Sequence, residues 1–451
     1  MKEIGFVCFG EINTPFERLV IKHDGALQLL LALNDAQITD AGVVIDDAKY
    51  AYADSAVHSL KERELDCLIL CVAGWVPTHT VIRVADHFRH LPVLLWGLSG
   101  WMEHGHLVTT ADQAGTTAIR PALAAMHYRH KFIYSVVGKP APVEKIKAFT
   151  DAATASRTLR SARVGTMGYR DMLLYGTQFE GNSMRGKLGI EVEPFEMLEM
   201  TQIAAALPEE MVRESISWMR QQWVFDKPCD DAVLETGARY ALAVGRKIEE
   251  RGYCAVTLID VDGMKKLLGF PPAMVFMLLS EKYGVLTVPE NDVMGAVTQL
   301  IAKAISGQTV PYLEYYEFFE KSMLIGVPDF VPKSATEGDV HVLPTAFGQL
   351  TQSLLNVSRV KTGLVTCLRL VYQDGRYGMH MYLAEAKMPE VWEECGWAQP
   401  APQLPSLEVF PLDCTVAEFA EKVSSQHVII CYGDHREAVC DFCMLMEIDL
   451  L

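Results

Sequence analysis

Three side chains of this sequence have the types and spacing of a metal site: those of Glu290, Glu314 and His427. Glu290 follows the apolar, strand-like residues 283–287, and Glu314 lies beyond a stretch long enough for a helix. Carboxylates at the ends of neighbouring strands can share one divalent cation, and a histidine from another segment would add a nitrogen ligand. Such a set suits Mn²⁺, with positions left open for the oxygens of a substrate.

The elements that would position these residues begin with alternating strands and helices. The apolar runs that predict strands are residues 4–9, 41–45, 67–72, 92–96 and 132–137. Amphipathic stretches of helical length separate them, for example residues 53–64 and 80–89. Strands that alternate with helices are typical of a parallel, doubly wound sheet, so we predict an N-terminal α/β domain over residues 1–160.

Two further domains are predicted from the rest of the chain: a central α/β domain over residues 161–310 and a mainly β domain over residues 311–451. The runs behind this division are a strand and turn at 163–168, a helix at 232–250, and strands at 255–259, 363–372, 376–385 and 426–432. The expected fold class is therefore α/β, with two doubly wound, Rossmann-like parallel-sheet domains followed by a mainly β C-terminal domain.

Composition excludes some classes of partner. The net charge of −17 disfavours a nucleic-acid partner, because phosphate binding relies on a basic surface. No apolar run is long enough to cross a bilayer, and the sequence enters a strand-like run at once, so we expect no membrane partner, no signal peptide and a cytoplasmic location. The eleven cysteines are expected to be reduced, since several lie in apolar runs such as residues 65–72.

Several short segments carry a resemblance to a known family. They are residues 263–270, 282–284, 289–292 and 313–316. These segments resemble the catalytic core of the L-fucose and L-arabinose isomerases. The resemblance implies that Glu290, in the tripeptide Glu-Asn-Asp, and Glu314 are metal ligands. Residues 426–434 are similar to the family's C-terminal segment, which implies that His427 is the third ligand.

The chain departs from each of these relatives in one place. L-arabinose isomerase has a further histidine ligand in the segment that matches residues 324–328, where this sequence has none. The three-ligand pattern of L-fucose isomerase therefore fits better, although its arginine-rich substrate loop is replaced here by residues 10–15. The sugar stays open. An anionic sugar would need a cation in the site, and Arg18, Lys22 and Arg170 are available.

Other residues near these motifs have competing interpretations. Trp75 is similar to the family's substrate-stacking tryptophan, which enters the site from a neighbouring subunit, but a tryptophan in such a loop can also simply pack. Asp292 is expected either to orient the ligand loop or to contact the substrate. Glu317 competes with Glu314 as a ligand, and the register of the resemblance favours Glu314.

Two further carboxylates, Asp260 and Asp262, follow another predicted strand. They could face the same crevice, because open α/β sheets bind ligands beyond the carboxyl ends of their strands. A turn built by aspartate and glycine is the interpretation that the sequence favours.

These observations predict a metal-dependent aldose–ketose isomerase that acts on a monosaccharide through an enediolate. The expected cofactor is Mn²⁺, or another divalent cation such as Mg²⁺ or Co²⁺. Glu290 and Glu314 would ligate the metal and move protons on opposite sides of the enediol, with His427 as a neutral nitrogen ligand. The resemblance implies a homotrimer or homohexamer with sites at subunit boundaries. Two alternatives stay open: a non-catalytic sugar-binding or regulatory relative, and a sugar epimerase that uses the same site.

Overall fold

The computed structural model describes residues 1–327, 329–344, 353–392 and 403–451. The chain divides into two units. The first contains Met1–Arg157 and Glu437–Leu445, and the second contains Thr158–Arg436 and Met446–Leu451. No helix of the described residues combines the length and apolarity that a membrane span requires.

The elements of the first unit follow the predicted alternation. Its strands are β1 (Lys2–Gly10), β2 (Ala36–Ile45), β3 (Cys67–Val72), β4 (Val93–Gly97), β5 (Trp101–Glu103), β6 (His106–Val108) and β7 (His130–Tyr134). Its helices are α1 (Phe16–Leu31), α2 (Ala51–Leu60), α3 (Thr78–Ala85), α4 (Asp112–Ala125) and α5 (Val143–Leu159), the last of which ends just beyond the unit boundary. The last strand ends earlier than predicted, because residues 136–139 form a turn that closes at Gly138, where φ is +71°.

The main sheet of the first unit is parallel, with the strand order β2-β1-β3-β4-β7. Every residue of β3 is buried, as expected for an apolar strand that is covered on both faces. The strand order reverses between β1 and β3, and at such a point the loops beyond the carboxyl ends of the strands leave a crevice.

The second unit contains more strands. They are β8 (Arg163–Met167), β9 (Glu191–Phe195), β10 (Trp223–Phe225), β11 (Ala255–Leu258), β12 (Leu286–Val288), β13 (Tyr312–Phe318), β14 (Met323–Gly326), β15 (Val340–Pro344), β16 (Leu354–Asn356), β17 (Gly363–Gln373), β18 (Arg376–Lys387), β19 (Ser406–Pro411), β20 (His427–Tyr432) and β21 (Asp449–Leu450). The remaining helices are α6 (Gly181–Ser183), α7 (Met197–Ala205), α8 (Glu209–Gln222), α9 (Asp231–Arg251), α10 (Ala273–Tyr283), α11 (Val293–Ser306), α12 (Val416–Lys422) and α13 (Arg436–Met446), of which α13 lies mostly in the first unit.

Two sheets dominate the second unit. The first is a parallel sheet in the order β12-β11-β8-β9. The second has the order β17-β20-β13-β14-β19-β18-β21, and it closes into a barrel-like sheet because β17 also pairs with β18 along almost the whole of both strands. Apolar side chains that include Leu313, Ile325 and Val428 form one buried cluster in this sheet, as is usual for a small barrel.

The mixed α/β class and the parallel sheets are confirmed, and the C-terminal region is rich in β-strands as predicted. The assignment of the two parallel sheets to Rossmann-like domains, and the three boundaries at 1–160, 161–310 and 311–451, stay predictions.

Candidate metal centre

The loop after β12 holds the first candidate ligand in an unusual backbone conformation. Glu290 and Asn291 both have positive φ, at +60° and +53°. Such a conformation costs a non-glycine residue roughly 1–3 kcal/mol and is found mostly at functional sites. The Asn291 side chain offsets this cost, because its amide donates to the carbonyl of Met167 at 2.9 Å and its oxygen accepts from the hydroxyl of Thr166 at 2.6 Å. The loop is therefore tied to the end of β8.

The other two candidate ligands lie opposite each other in the barrel-like sheet. Glu314 on β13 pairs directly with His427 on the antiparallel strand β20. Side chains of such a cross-strand pair lie on the same face of the sheet, so this register brings the carboxylate and the imidazole together. The ring of Tyr312 packs against the imidazole, with 4.6 Å between the ring centroids.

The three predicted ligands converge in the structure. One ligand atom from each of Glu290, Glu314 and His427 lies within 4.8 Å of the other two. The Nε2 atom of His427 is 3.0 Å from Oε2 of Glu290 and 3.5 Å from Oε1 of Glu314. Gln426 donates from its side-chain amide to both carboxylates, at 3.3 and 3.1 Å. Glu290 and His427 are buried, whereas the side chain of Glu314 is 24% exposed, so the group has one open side.

Asp292 fixes the orientation of the histidine. Its Oδ2 atom lies 3.1 Å from Nδ1 of His427 and also accepts from the hydroxyl of Tyr312 at 2.8 Å. Arg369 donates to both carboxylate oxygens of Asp292, at 2.5 and 3.0 Å, and the backbone N–H of Gly295 donates to Oδ1 at 2.8 Å. In a neutral imidazole this pairing places the proton on Nδ1, so that the lone pair of Nε2 faces the two glutamates.

The group fits a divalent cation. Nε2 of His427 is buried and makes no well-aligned hydrogen bond among the described residues, although Oε2 of Glu290 lies only 3.0 Å away; a buried nitrogen that faces two carboxylates in this way suits a metal ligand. Two carboxylates and one imidazole are ligands that Mn²⁺, Mg²⁺ or Co²⁺ accept, and three protein ligands leave further positions for substrate oxygens.

The electrostatics of the group favour the binding of a cation. Burial raises the pKa of Glu290, and the nearby carboxylate of Glu314 adds to this effect while His427 opposes it. Burial alone would lower the pKa of His427, but the carboxylates around it raise that pKa well above its ordinary value. Burial would raise the pKa of Asp292, but Arg369 and His427 hold it well below its usual range. Because a ligating histidine must be neutral, a metal ion would replace a proton here.

A second charged cluster lies behind the ligand loop. Asp260 follows β11 and is fully buried; its Oδ1 atom accepts from the backbone N–H of Glu290 at 2.5 Å. Its Oδ2 atom is 3.0 Å from the ammonium of Lys265, which lies 3.5 Å from the buried carboxylate of Asp329. Asp262, in contrast, accepts from the backbone N–H of Met172. Residues Asp260–Lys265 form a short π-helix rather than the expected turn, so that prediction is wrong, and Asp260 lies against the ligand loop.

The remaining predicted residues have more varied surroundings. Trp75 lies in the first unit and is 41% exposed. In the same unit, Arg18 pairs with Glu103, and Lys22 pairs with Asp112. Arg170 lies in the second unit, where its guanidinium stacks at 4.9 Å from the ring centroid of Tyr175. Glu317, the competitor of Glu314, is exposed and is not part of the converging group.

Four residues of the site were not predicted: Tyr312, Lys265, Arg369 and Gln426. Arg369 had a signal in the sequence, because it is a lone charged residue inside the apolar run that forms β17. A buried charge in a strand needs a partner, and that partner is Asp292. For Gln426 and Tyr312 we find no comparable signal, since both are common at strand ends.

Comparison with known proteins finds distant relatives among the curated proteins. No protein-family model matches the chain. The chain is similar to the sulfoquinovose isomerases of Priestia aryabhattai and Priestia megaterium, with 18% identity over 260 residues in each case. The alignment covers 57% of this chain and spans 57% of the length of each curated relative. This similarity does not single out the L-fucose isomerase family.

Among solved structures, similar chains include sugar-bound solute-binding proteins of ABC transporters. One from Agrobacterium vitis with bound D-fucose is 16% identical, with coverage of 68% of this chain and 87% of that chain and a TM-score of 0.16. Another from Agrobacterium vitis, bound with α-D-tagatopyranose, is 12% identical, with coverage of 69% and 91% and a TM-score of 0.17. TM-scores this low carry no argument about fold or function.

Proposed function

We propose that this chain is a metal-dependent aldose–ketose isomerase that acts on a monosaccharide. The observation that carries this proposal is the convergence of Glu290, Glu314 and His427 around one point, with the second nitrogen of the histidine held by Asp292. The similarity to sulfoquinovose isomerases and the resemblance of the ligand segments to the L-fucose and L-arabinose isomerases support the same reaction class.

The proposed metal is Mn²⁺ or a similar divalent cation, held by Glu290, Glu314 and His427. When bound, the cation would polarise an α-hydroxy carbonyl group, which makes the C2–H bond of the aldose more acidic and stabilises the enediolate. The role of the protein is to hold these ligands rigidly. Asp292 contacts Nδ1 of His427 and so fixes the tautomer and the direction of the ring, and Arg369 holds Asp292 in place.

The two glutamates are suited to move the protons. Isomerisation removes the proton from C2 and delivers a proton to C1, while the hydroxyl proton moves from O2 to O1, so that no net proton is consumed. In our proposal one carboxylate accepts the C2 proton and the other delivers to C1 from the opposite side of the enediol. Burial raises the pKa of Glu290, which brings a carboxylate closer to the range in which it can exchange protons near neutral pH.

Substrate recognition and assembly are part of the same proposal. The exposed Trp75 would stack on the sugar, as the resemblance implies, and it would reach the site of a neighbouring subunit in a homotrimer or homohexamer. Asp292 is better suited to positioning than to substrate contact, because its oxygens already accept from Tyr312, Arg369 and Gly295 and face His427.

The test is proton exchange, observed by NMR. The Mn²⁺-loaded protein is incubated in D₂O with aldopentoses and aldohexoses, together with sulfonated and phosphorylated hexoses. We expect one of these sugars to yield a ketose that carries deuterium at C1. A C2-epimeric aldose as the sole product would indicate an epimerase instead. Glu290→Gln should abolish the exchange. Glu317→Gln, which replaces an exposed glutamate three residues after Glu314, should not.

Two outcomes would contradict the proposal. A sugar that binds without any exchange in the presence of Mn²⁺ would favour the non-catalytic sugar-binding relative. A ketose formed without deuterium would keep the isomerase and overturn the proposed transfer between two carboxylates, because the carboxylate that delivers to C1 must take its proton from D₂O.

A further inference from the structure

A buried lysine lies between two buried carboxylates beside the candidate metal centre, and the proposed reaction leaves it without a role. The side chain of Lys265 is 16% exposed, and those of Asp260 and Asp329 are 0% and 1% exposed. The ammonium is 3.0 Å from Asp260 and 3.5 Å from Asp329. Burying ionised groups is unfavourable unless they are paired, so such a cluster is costly to keep without a function.

The cluster is connected to the metal centre through one hydrogen bond. Asp260 uses one oxygen for Lys265 and the other for the backbone N–H of Glu290. That N–H belongs to the residue that has a φ of +60°. The direction in which the Glu290 carboxylate points therefore depends on where Asp260 is held, and Lys265 holds Asp260.

The neighbouring ligand has an arrangement of the same kind. His427 is positioned by Asp292, and Asp292 is held by the guanidinium of Arg369. In both cases a buried aspartate contacts a ligand residue on one side and a buried cation on the other. The aspartate reaches the imidazole directly in one case and the backbone of the ligand loop in the other.

We propose that Lys265 is a positioning residue, which acts through Asp260 to keep Glu290 in its metal-binding conformation. This inference rests on the proposed function only in that Glu290 must be a metal ligand. Loss of the ammonium would leave Asp260 and Asp329 as buried carboxylates without their cation, so that Asp260 would shift or take up a proton and would no longer hold the Glu290 backbone in place.

The experiment measures Mn²⁺ binding by calorimetry on the full chain after removal of metals with a chelator. The variants are Lys265→Met, which removes the charge, Lys265→Arg, which keeps it, and Lys266→Met. Lys266 is the matched control, because it is the next residue, is exposed and pairs with Asp262 rather than Asp260. We expect Lys265→Met to bind Mn²⁺ at least about tenfold more weakly. Lys266→Met should bind like the unsubstituted protein, and Lys265→Arg should recover most of the affinity.

Thermal unfolding of the metal-free variants separates positioning from a merely structural role. If Lys265 only stabilises the fold, Lys265→Met will unfold at a lower temperature, but the folded protein will bind Mn²⁺ as tightly as before, and the proposal is overturned. If Lys265→Met does not fold, the pair Asp260→Asn and Asp260→Ala decides the question. Asparagine can still accept from the Glu290 N–H and should bind Mn²⁺ more tightly than the alanine variant; equal affinities would overturn the proposal.

The outcomes distinguish this inference from the proposed function. Absence of Mn²⁺ binding by the unsubstituted protein would overturn both. Binding by the unsubstituted protein and by Lys265→Met with the same affinity would overturn the positioning role alone and leave the metal centre intact.

Discussion

The two parallel sheets of this protein differ in the buried charged residues at the carboxyl ends of their strands. In the first unit, the buried ammonium of Lys22 pairs with the buried carboxylate of Asp112, and both contact Thr110 beside the end of β3. In the second unit, the ends of β11 and β12 carry Asp260 and Glu290, both of them buried. In the first unit the buried carboxylate is paired with a buried cation, whereas in the second unit buried carboxylates are in excess.

The difference is consistent with the place that we propose for the site in these two similar scaffolds. Each sheet places its first strand inside, with the second strand on one side and the later strands on the other. What differs is the loops beyond the strands, and sites are generally built on such loops. A matched pair can remain as it is, but an excess of buried carboxylates around a histidine requires protons or a cation.

The largest expected effect comes from breaking the buried ion pair of each unit. Arg369→Met leaves Asp292 buried without its cation, and Lys22→Met does the same to Asp112. Each should lower the free energy of unfolding by about 3–5 kcal/mol, measured by urea denaturation. Only Arg369→Met should also weaken Mn²⁺ binding, because only Asp292 contacts a ligand.

The comparison fails if both variants lose Mn²⁺ affinity in proportion to their lost stability. That result would mean that affinity follows global stability, rather than the charges around the ligands.

A smaller effect is expected from the aspartate that orients the histidine. Asp292→Asn keeps the shape of the side chain but removes the charge that favours a proton on Nδ1 of His427. Mn²⁺ affinity should fall by about 10–100-fold in calorimetry, as is typical when such a partner of a ligating histidine is lost. Asp112→Asn, the counterpart in the first unit, should leave the affinity unchanged. An unchanged affinity for Asp292→Asn would show that the imidazole needs no carboxylate to direct it.

A pH dependence should distinguish stabilising charges in the first unit from the metal centre. The hydrogen bond that the His23 ring donates to Asp40, assisted by Asp24, raises the pKa of His23 to about 9. Because the folded-state pKa is raised, this stabilisation is fully present below about pH 6.5 and is lost as the pH rises through 9. We expect a loss of about 1–2 kcal/mol, since Asp24 is exposed and its charge is screened.

The measurement is urea unfolding at pH 6.5 and at pH 10, for the unsubstituted protein and for His23→Gln. The variant should show a smaller decline over this range, and its Mn²⁺ affinity at pH 7 should be unchanged. An identical decline in the two proteins would show that His23 is not the titrating group.

The smallest effect is expected from the competing glutamate of β13. Glu317 is exposed and lies outside the converging group, so Glu317→Gln should change Mn²⁺ affinity less than about twofold, because exposed charges are screened by solvent. Calorimetry measures the Mn²⁺ affinity of Glu317→Gln and of Glu314→Gln side by side. A large loss in Glu317→Gln would mean that the strand register of the site differs from that described here.

Much of the fold could be predicted from local patterns. The strand at 67–72 was predicted with its observed bounds because it is a continuous apolar run, and helix α9 was predicted with its ends displaced by one residue because its apolar residues recur with helical periodicity. The predicted strand at 132–137 ended too late, since β-branched residues at 136 and 137 extend the pattern into an exposed turn. The closure of the barrel-like sheet through the pairing of β17 with both β18 and β20 has no local signal in the sequence.

Of the candidate site, the ligands could be predicted from the sequence, but the residues that hold them could not. Glu290, Glu314 and His427 were predicted from residue types and from the resemblance, and the structure brings them together. Arg369 and Lys265 were not predicted, because their roles follow from burial and from which carboxylate each one contacts. A single sequence shows a charged residue, but it does not show which buried carboxylate that residue neutralises.

The most direct test of the central claim is Mn²⁺ calorimetry on chelator-stripped protein beside Glu290→Gln, Glu314→Gln and His427→Ala. The account predicts one Mn²⁺ per chain, with the affinity lowered by about a hundredfold or more in each variant, since each removes one of three protein ligands. No binding by the unsubstituted protein, or binding that none of the three substitutions affects, would contradict the metal centre and the isomerase built on it.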